Sequence, residues 1–112
     1  MVNFSKLINK LEKKGITTYT IRKKSLISQG TLTKLKMCSS KQKDKADQLK
    51  EIKERLDQYK EENGKEFAYE ISSKTIEDIC QLLQCQPKDI MEWQVDLDPT
   101  LSYENKYCND EE

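Results

Sequence analysis

Hydrogen-bonding side chains are concentrated in the segment SQGTLTKLK, residues 28–36. Leu32 and Leu35 lie three residues apart, the spacing of one buried helical face. The rest of this short helix carries the amide of Gln29, several hydroxyls and the amine of Lys34. An amide both donates and accepts hydrogen bonds, and an amine donates them. Such a face either meets solvent or recognises a ligand, and these residues alone leave both interpretations open.

A helix must precede this segment and help to position it. Residues 4–14, FSKLINKLEKK, have an apolar face at helical spacing that consists of Phe4, Leu7, Ile8 and Leu11. We expect Asn3 to cap the beginning of this helix, because its side chain can accept from a free backbone N–H. Gly15 is then the natural residue at which the helix ends.

A second short helix lies between the first helix and the polar segment. The pattern predicts it at about residues 19–24, with Ile21 facing inward. Ile27 then fills a tight turn. Ser28 is placed to cap the third helix, which we expect to run to Lys36.

Residues 41–63 have the pattern of a charged amphipathic helix. Apolar residues recur at intervals of three and four, at Leu49, Ile52, Leu56 and Tyr59. Oppositely charged side chains lie four residues apart, as in Lys50 and Glu54, and Gly64 ends the pattern. The apolar stripe is too short for a coiled coil by itself. We therefore expect it to dock on the domain or on a second copy.

The remaining chain predicts a link, two helices and a tail. Apolar residues alternate in 67–71, which indicates a short extended link. SSKTIEDICQLLQC, residues 72–85, resumes helical spacing, and QPKDIMEW, residues 86–93, indicates another short helix anchored by Ile90 and Trp93. Residues 94–112 are acidic and weakly patterned, and we expect a mostly flexible tail.

Charge is distributed unevenly along a chain whose formal net charge is zero. Residues 1–45 hold 12 basic and two acidic residues, a net charge of +10. Residues 46–66 carry −2 and residues 67–112 carry −8. A basic N-terminal part favours a polyanionic partner, although a lysine-rich surface can also serve solubility alone.

Composition excludes several classes of protein and site. No apolar run approaches the ~20 residues that a membrane span needs, so we expect a soluble, cytoplasmic protein with no membrane partner. The chain has four cysteines and no histidine, and it lacks a CxxC pair, so we predict no metal and no cofactor. We interpret Cys80 and Cys85 as reduced, structural thiols. No residue pattern supplies a nucleophile with its base, so we predict no enzyme activity.

Two segments together resemble the lambda-repressor-like (Cro/CI or Xre type) helix-turn-helix DNA-binding family. They are TTYTIRKKSLISQGTLTKLK, residues 17–36, and ISSKTIEDICQLLQCQPKDIMEW, residues 71–93. The resemblance implies an all-α fold: a compact five-helix helix-turn-helix domain over residues 1–93 and an acidic tail over 94–112. Residues 38–69 form an insertion between the third and fourth family helices, where the family usually has a short loop.

The resemblance also implies roles for the polar segment. The third helix would enter the major groove of double-stranded DNA, with base contacts from Gln29, Lys34 and Thr33. Other groups would contact phosphates, including the N-terminus of the second helix. These phosphate contacts are Thr18, Tyr19, Lys23, Ser28, Thr31, Lys36 and Lys41.

One such helix reads only a few base pairs, and the family usually gains specificity by forming a homodimer on a two-fold operator. The candidate dimer residues are Leu49, Ile52, Leu56, Tyr59 and Trp93. A repressor of phage or mobile-element type is the function that this resemblance implies. The alternative is a protein-binding module, antitoxin-like or nuclease-inhibiting, which would better explain the inserted helix and the acidic tail.

Overall fold

The computed structural model describes residues 1–108, and within them six α-helices are joined by short connections. In chain order the elements are β1 (Val2–Asn3), α1 (Ser5–Lys13), α2 (Thr18–Lys23), α3 (Gln29–Met37), α4 (Lys45–Asn63), α5 (Ser73–Leu83), β2 (Glu92–Trp93) and α6 (Tyr103–Tyr107). The predicted all-α class is confirmed, because the two strands have only two residues each. None of the helices in residues 1–108 is long and apolar enough to cross a membrane.

The apolar faces of α1, α2, α3 and α5 meet in one core. Each helix contributes residues that its spacing predicted: Leu7, Leu11, Ile21, Leu32, Leu35, Ile76, Ile79 and Leu83. Full burial of such a side chain contributes about 1.5–3 kcal/mol, so these contacts fix the helices relative to one another. Phe4 completes the core, and its backbone N–H donates to the carbonyl of Cys38 at 2.7 Å. The beginning of α1 is thus tied to the end of α3.

Hydroxyl side chains cap three of these helices. Thr17, Ser28 and Ser72 accept hydrogen bonds from the third backbone N–H beyond them, at the beginnings of α2, α3 and α5. The prediction for α1 was wrong, because its N-cap is Phe4 and not Asn3. Asn3 is one residue too early: its backbone pairs with Glu92 in β1–β2, while its side chain accepts from the backbone of Ser5 at 2.9 Å.

Helix α4 is the predicted inserted helix, and it packs against α3 and β1. Asp44 caps its beginning, and Gly64 ends it with a left-handed backbone (φ +72°). Ile52 is 0% exposed, so the apolar stripe docks at least partly within its own chain. The side chain of Gln48 also accepts from the Asn3 amide at 3.0 Å. The insertion is therefore integrated into the domain.

The predicted helix at residues 86–93 was wrong in extent. Only Pro87–Asp89 forms a 3₁₀ turn, and Glu92–Trp93 is extended. Ile90 is fully buried, as predicted, but Trp93 is 61% exposed and does not anchor the core. Pairing with β1 is the reason, because successive side chains of a strand point to opposite faces. Glu92 faces Lys6 and Lys45, and Trp93 faces outward.

The tail also carries regular structure that the sequence did not predict. Residues 99–101 form a 3₁₀ turn, and α6 follows it. The amide of Asn105 donates to the carbonyl of Pro99 at 2.6 Å and joins the two. Residues 109–112 of the predicted tail lie outside the described residues.

Candidate nucleic-acid interface

A tight turn without glycine orients α3 relative to α2. At the end of α2, the N–H of Ser25 donates to Arg22 and the N–H of Leu26 donates to Ile21. Ser25 takes the left-handed conformation (φ +50°) that this helix ending requires. Ile27 is buried beyond the turn, and the chain then enters α3. The helix pair is therefore held by backbone bonds and by one apolar anchor.

Helix α3 has one buried side and one exposed side. Leu32 and Leu35 are 2% and 0% exposed and fix the helix on the core. Gln29 and Thr33 are exposed, and the Thr33 hydroxyl donates to the Gln29 carbonyl at 3.0 Å. That bond occupies the hydroxyl hydrogen, although the oxygen and the methyl group remain accessible. The exposed side thus presents an amide and a threonine one helical turn apart.

Arg22 is a residue of this surface that the sequence interpretation did not assign. Its Nε donates to the Oε1 of Gln29 at 3.2 Å, across the turn from α2 to α3. The bond orients the Gln29 amide, so its NH₂ group is the free donor, while its oxygen retains a second lone pair. The separation of seven residues gave no local signal for this contact. Only the fold brings the two side chains together.

The sequence suggested that Lys34 projects outward beside Gln29, and the structure places it differently. It is half-buried, and its Nζ donates to the carbonyl of Glu70 at 2.7 Å. Glu70 belongs to the extended link before α5, which returns the chain from the insertion. The ammonium is therefore directed to this link and would have to leave the carbonyl to reach another partner.

The residues expected to contact phosphate lie in three places. Lys36 Nζ donates to the Thr18 hydroxyl at 3.1 Å, so the end of α3 meets the beginning of α2. Tyr19 is 70% exposed, and the ammonium of Lys23 lies 5.7 Å from its ring centroid. The remaining residues are the hydroxyl pair Ser28 and Thr31, with oxygens 2.9 Å apart, and the exposed Lys41.

A cleft of ≈ 700 Å³ lies beside the Lys36–Thr18 pair. Its apolar wall includes Ile8, Leu11 and Ile16, and Lys36 and Lys41 are among its polar lining. Three of the residues expected at phosphates, Lys36, Thr18 and Lys41, thus share one concave surface.

The positive charge of this region is not compensated by ion pairs within residues 1–108, although Glu12 and Glu51 line the cleft beside Lys36. Between Glu12 and Asp44 the sequence has nine basic residues and no acidic residue. The ion pairs within residues 1–108 involve none of these nine side chains. A surface of one sign attracts a polyanion and raises the rate of its association. The electrostatics of α2 and α3 therefore favour a nucleic acid over a neutral ligand.

Arg55 of the inserted helix reaches the far end of α3. Its Nη1 donates to the carbonyls of Lys36, Met37 and Ser39 at 3.2, 2.9 and 2.7 Å. Its Nη2 pairs with the Glu51 carboxylate at 2.9 Å. The sequence interpretation placed Arg55 only among the alternating charges of a solvated helix. This contact, like that of Arg22, depends on the tertiary fold.

The candidate dimer residues differ in the surface that they expose. Ile52 is fully buried within one chain, so it has no side-chain surface to offer to a second subunit. Leu49, Leu56 and Tyr59 are half-buried, and the Tyr59 ring meets Phe67 edge to face at 5.1 Å between centroids. Trp93 is mostly exposed.

The cysteines are free thiols in residues 1–108. Cys38 is fully buried, and burial raises the pKa of its thiol from 9.0 to about 11. Burial, with a smaller contribution from neighbouring Cys85, also raises the pKa of Cys80. No group of three or more potential metal ligands occurs in this described part of the chain. Both raised pKa values favour the neutral, less reactive thiol.

Residues 60–96 match the family model of the Cro/C1-type HTH DNA-binding domain. Over these residues the chain is similar to a Cro/C1-type helix-turn-helix domain. The match confirms the resemblance to the lambda-repressor-like family and supports a DNA-binding regulator in general. No curated protein and no solved structure gives a match.

The matched part of the helix-turn-helix domain extends from the last residues of α4 through α5 to just beyond β2. It begins within the insertion, and the α2–α3 pair lies before it. The candidate DNA-contacting half of the domain, α2 and α3, is therefore characterised by the structure alone, through its turn, its helix caps and the exposed side of α3.

Proposed function

We propose that the chain is a sequence-specific transcriptional regulator that places α3 in the major groove of double-stranded DNA. The observation that carries this proposal is the two-sided character of α3. Two leucines fix one side on the core, and the other side exposes Gln29 and Thr33. In a helix-turn-helix pair the second helix presents the side chains near its beginning to base edges.

Gln29 is the principal base contact in this proposal. A glutamine amide pairs bidentately with adenine, using its oxygen and its NH₂ group. Arg22 already orients that amide and leaves the NH₂ group available. Thr33 contributes its methyl group or hydroxyl oxygen. Lys34 contributes a guanine contact only after its ammonium leaves the Glu70 carbonyl, so we rank it third.

Phosphate contacts come from the surroundings of α3. Lys36 and Thr18 form a pair that can hold one phosphate between an ammonium and a hydroxyl. The positive charge of this region supports such a contact. We assign the same role to the other groups around the helix pair: Tyr19, Lys23, Ser28, Thr31 and Lys41.

A homodimer on a two-fold operator would supply the specificity that one α3 cannot. Half-sites would then lie about 34 Å apart, one turn of DNA. Trp93, at the edge of the proposed domain of residues 1–93, is the best exposed of the candidate dimer residues. We propose repression, in a phage or mobile element, as the mode of regulation. A bound dimer excludes polymerase without any further contact.

An in vitro selection from a random duplex pool at near-physiological salt tests the proposal. We expect an enriched palindrome whose half-site spacing reports the dimer geometry. The selected duplex should also show a steep loss of affinity with salt, with a log–log slope of about −0.9 per phosphate contact. Selection of no sequence, together with weak and salt-sensitive binding, would contradict sequence-specific regulation.

A protein-binding module is the second candidate, and the tail is the observation that favours it. Most of the large exposed apolar side chains in residues 1–108 belong to residues 93–107, and the most exposed within this segment are Leu97, Tyr103 and Leu101, at 87%, 66% and 65%. Large exposed apolar surface is typical of interaction sites. This candidate predicts almost no affinity for random duplex DNA at any salt concentration, which separates it from the regulator.

A further inference from the structure

The C-terminal end of α3 lacks the usual means of ending a helix. The last four carbonyls of an α-helix have no partner within the helix, and a glycine beyond the end often helps to satisfy them. Here α3 ends at Met37 and is followed by Cys38 and Ser39. The three glycines of the chain lie elsewhere. Something other than a glycine turn must therefore satisfy these carbonyls.

Arg55 of the inserted helix supplies part of those hydrogen bonds, to the carbonyls of Lys36 and Met37. The N–H of Cys38 donates to the Lys34 carbonyl, and Ser39 also donates to the Lys36 carbonyl. One of its NH₂ groups lies within 3.2 Å of three carbonyl oxygens, those of Lys36, Met37 and Ser39. A cation at this place also opposes the negative end of the α3 dipole. The guanidinium is fixed in turn by the Glu51 carboxylate, one turn earlier on α4. Arg55 thus caps the end of a helix that lies 18 residues before it.

The element that carries Arg55 is itself well anchored. Ile52, one turn before Arg55, is fully buried, and Gln48 is bonded to the Asn3 amide. Asp44 fixes the beginning of α4 through two backbone N–H groups. A side chain on such a helix can hold a neighbouring element in one place, because its own backbone has little freedom.

We propose that Arg55 is a positioning residue that sets the orientation in which α3 meets DNA. The inference rests on the proposed function, and it gives the insertion a role in recognition. Arg55 is not a phosphate contact, because its guanidinium is already bonded to three carbonyls and a carboxylate. It acts on DNA only through α3.

The dimensions of α3 explain why its far end matters. Nine residues make a helix about 13 Å long, so a tilt of ~10° about its beginning displaces its end by about 2 Å and Thr33, four residues after Gln29, by about 1 Å. Hydrogen bonds to base edges tolerate smaller errors than this. Ser28 and Ile27 fix the beginning of α3, and Arg55 fixes its end together with the Phe4–Cys38 bond. Loss of Arg55 would therefore reduce discrimination between sequences more than general affinity for DNA.

The test compares Arg55→Ala and Arg55→Lys with the matched control Lys53→Ala. Lys53 lies on the same helix, and its replacement removes the same charge without touching α3. Two quantities are measured on the full chain. They are the hydrogen-exchange rates of the backbone amides of residues 35–39, and the ratio of affinities for the selected and random duplexes. Arg55→Lys retains the charge but loses the planar fork.

We expect Arg55→Ala to speed exchange at residues 35–39 about tenfold, while amides of α5 keep their protection. The affinity ratio should fall about tenfold, with random-duplex affinity nearly constant. Arg55→Lys should give exchange rates and an affinity ratio between those of Arg55→Ala and the wild type. Lys53→Ala should match the wild type in both quantities.

Two results overturn the positioning role. One is unchanged exchange in Arg55→Ala. The other is an equal loss of affinity on both duplexes, which would make Arg55 a phosphate contact. If the wild-type chain selects no sequence, the regulator proposal fails separately. In that case the exchange rates of Arg55→Ala and Arg55→Lys still decide whether Arg55 holds the end of α3.

Discussion

Arg22 and Gln29 are joined across the turn between α2 and α3, with Arg22 Nε donating to Gln29 Oε1 at 3.2 Å. The bond connects the exposed side of one helix with the beginning of the next. It limits the rotation of the Gln29 amide, so less conformational freedom remains to be lost when that amide meets a base. The proposed recognition chemistry thus depends on a residue that need not touch a base.

We expect Gln29→Ala to weaken binding to the selected operator by roughly 1–3 kcal/mol and to leave random-duplex affinity nearly unchanged. Arg22→Ala should weaken operator binding by a smaller amount, because it frees the amide without removing it. The double variant should lose less than the sum of the two single variants. Titrations of the four proteins at one salt concentration measure this coupling.

Equal losses on every DNA sequence would move Gln29 to the phosphate-contacting class. Strict additivity of the two single variants would show that the 3.2 Å bond has no role in recognition. Lys24→Ala is the matched control for Arg22, because it removes one exposed positive charge near the same turn and has no contact with Gln29.

The turn itself predicts a change in stability. Ser25 has a φ of +50°, a conformation that costs a non-glycine residue roughly 1–2 kcal/mol. Ser25→Gly should therefore raise the free energy of unfolding by about 0.5–1 kcal/mol, after the greater freedom of glycine in the unfolded chain is deducted. Urea denaturation, monitored by circular dichroism, measures this change in the free energy of unfolding.

Gly15 lies at the end of α1, in the same kind of left-handed helix ending as Ser25, and its substitution provides the opposite test. It has a φ of +71°, and an added Cβ would meet no atom within 4 Å. Gly15→Ala should thus lower the free energy of unfolding by about 1 kcal/mol through the backbone conformation alone. A stabilising Gly15→Ala, or a neutral Ser25→Gly, would contradict this account of the two turns.

Burial of Cys38 predicts a dependence of stability on pH. Its thiol has a pKa near 9.0 in the unfolded chain and about 11 in the folded chain. Between these values the unfolded chain has lost the proton that the folded chain keeps, so stability falls as pH rises. This contribution to the free energy of unfolding is fully present below pH 9 and amounts to about 3 kcal/mol, since one pKa unit corresponds to about 1.4 kcal/mol.

Cys38→Ala removes this contribution and also leaves a small void, which lowers stability at every pH. We expect the difference between wild type and Cys38→Ala to shrink as the pH rises from 9 to 11. Chemical denaturation at several pH values checks this, with Cys108→Ala as the exposed control. A difference that stays constant over this range would contradict the neutral buried thiol.

The two kinds of candidate dimer residue should respond differently to substitution. Trp93 is 61% exposed, and Leu97 of the adjoining tail, which was not among the candidate dimer residues, is 87% exposed, so replacing both with Ser should leave the unfolding free energy within about 0.5 kcal/mol. If Trp93 and the tail form the dimer, sedimentation should show a shift toward monomer. Ile52→Ala should instead lower the unfolding free energy by about 2–5 kcal/mol, because Ile52 is buried in its own chain.

A stable Ile52→Ala that becomes monomeric would place the dimer surface on α4. An unchanged oligomeric state in the Trp93 and Leu97 double variant would exclude the tail. The two variants therefore assign the dimer surface to different elements.

Local patterns in the sequence predicted much of the fold. Leu7, Leu11, Leu32 and Leu35 are buried where helical spacing placed them, and Ser28 caps α3 as expected. These features depend on residues close together in the chain, where periodicity and capping chemistry are readable. The family match at residues 60–96 covers residues 71–93, one of the two segments that carried the resemblance.

Several features that the sequence did not predict depend on distant residues. Trp93 is exposed because β2 pairs with Val2 and Asn3, at the other end of the chain. Lys34 turns toward Glu70, and Arg55 toward Met37, because the insertion folds back on α3. No local spacing encodes such contacts. Lys34 and Arg55, whose predicted roles changed, are each hydrogen-bonded to a residue more than 15 positions away in the chain.

The pairing of β1 with β2 bears on the order of events during synthesis. Residues 1–37 leave the ribosome before residues 73–93, yet Val2 finds its strand partner only when Trp93 has been made. The apolar faces of α1, α2 and α3 also await Ile76, Ile79 and Leu83 of α5. At about 5–20 residues per second, the positively charged nascent segment stays incomplete for several seconds. During that interval its uncovered faces are the part of the chain most exposed to chaperones and to mispairing.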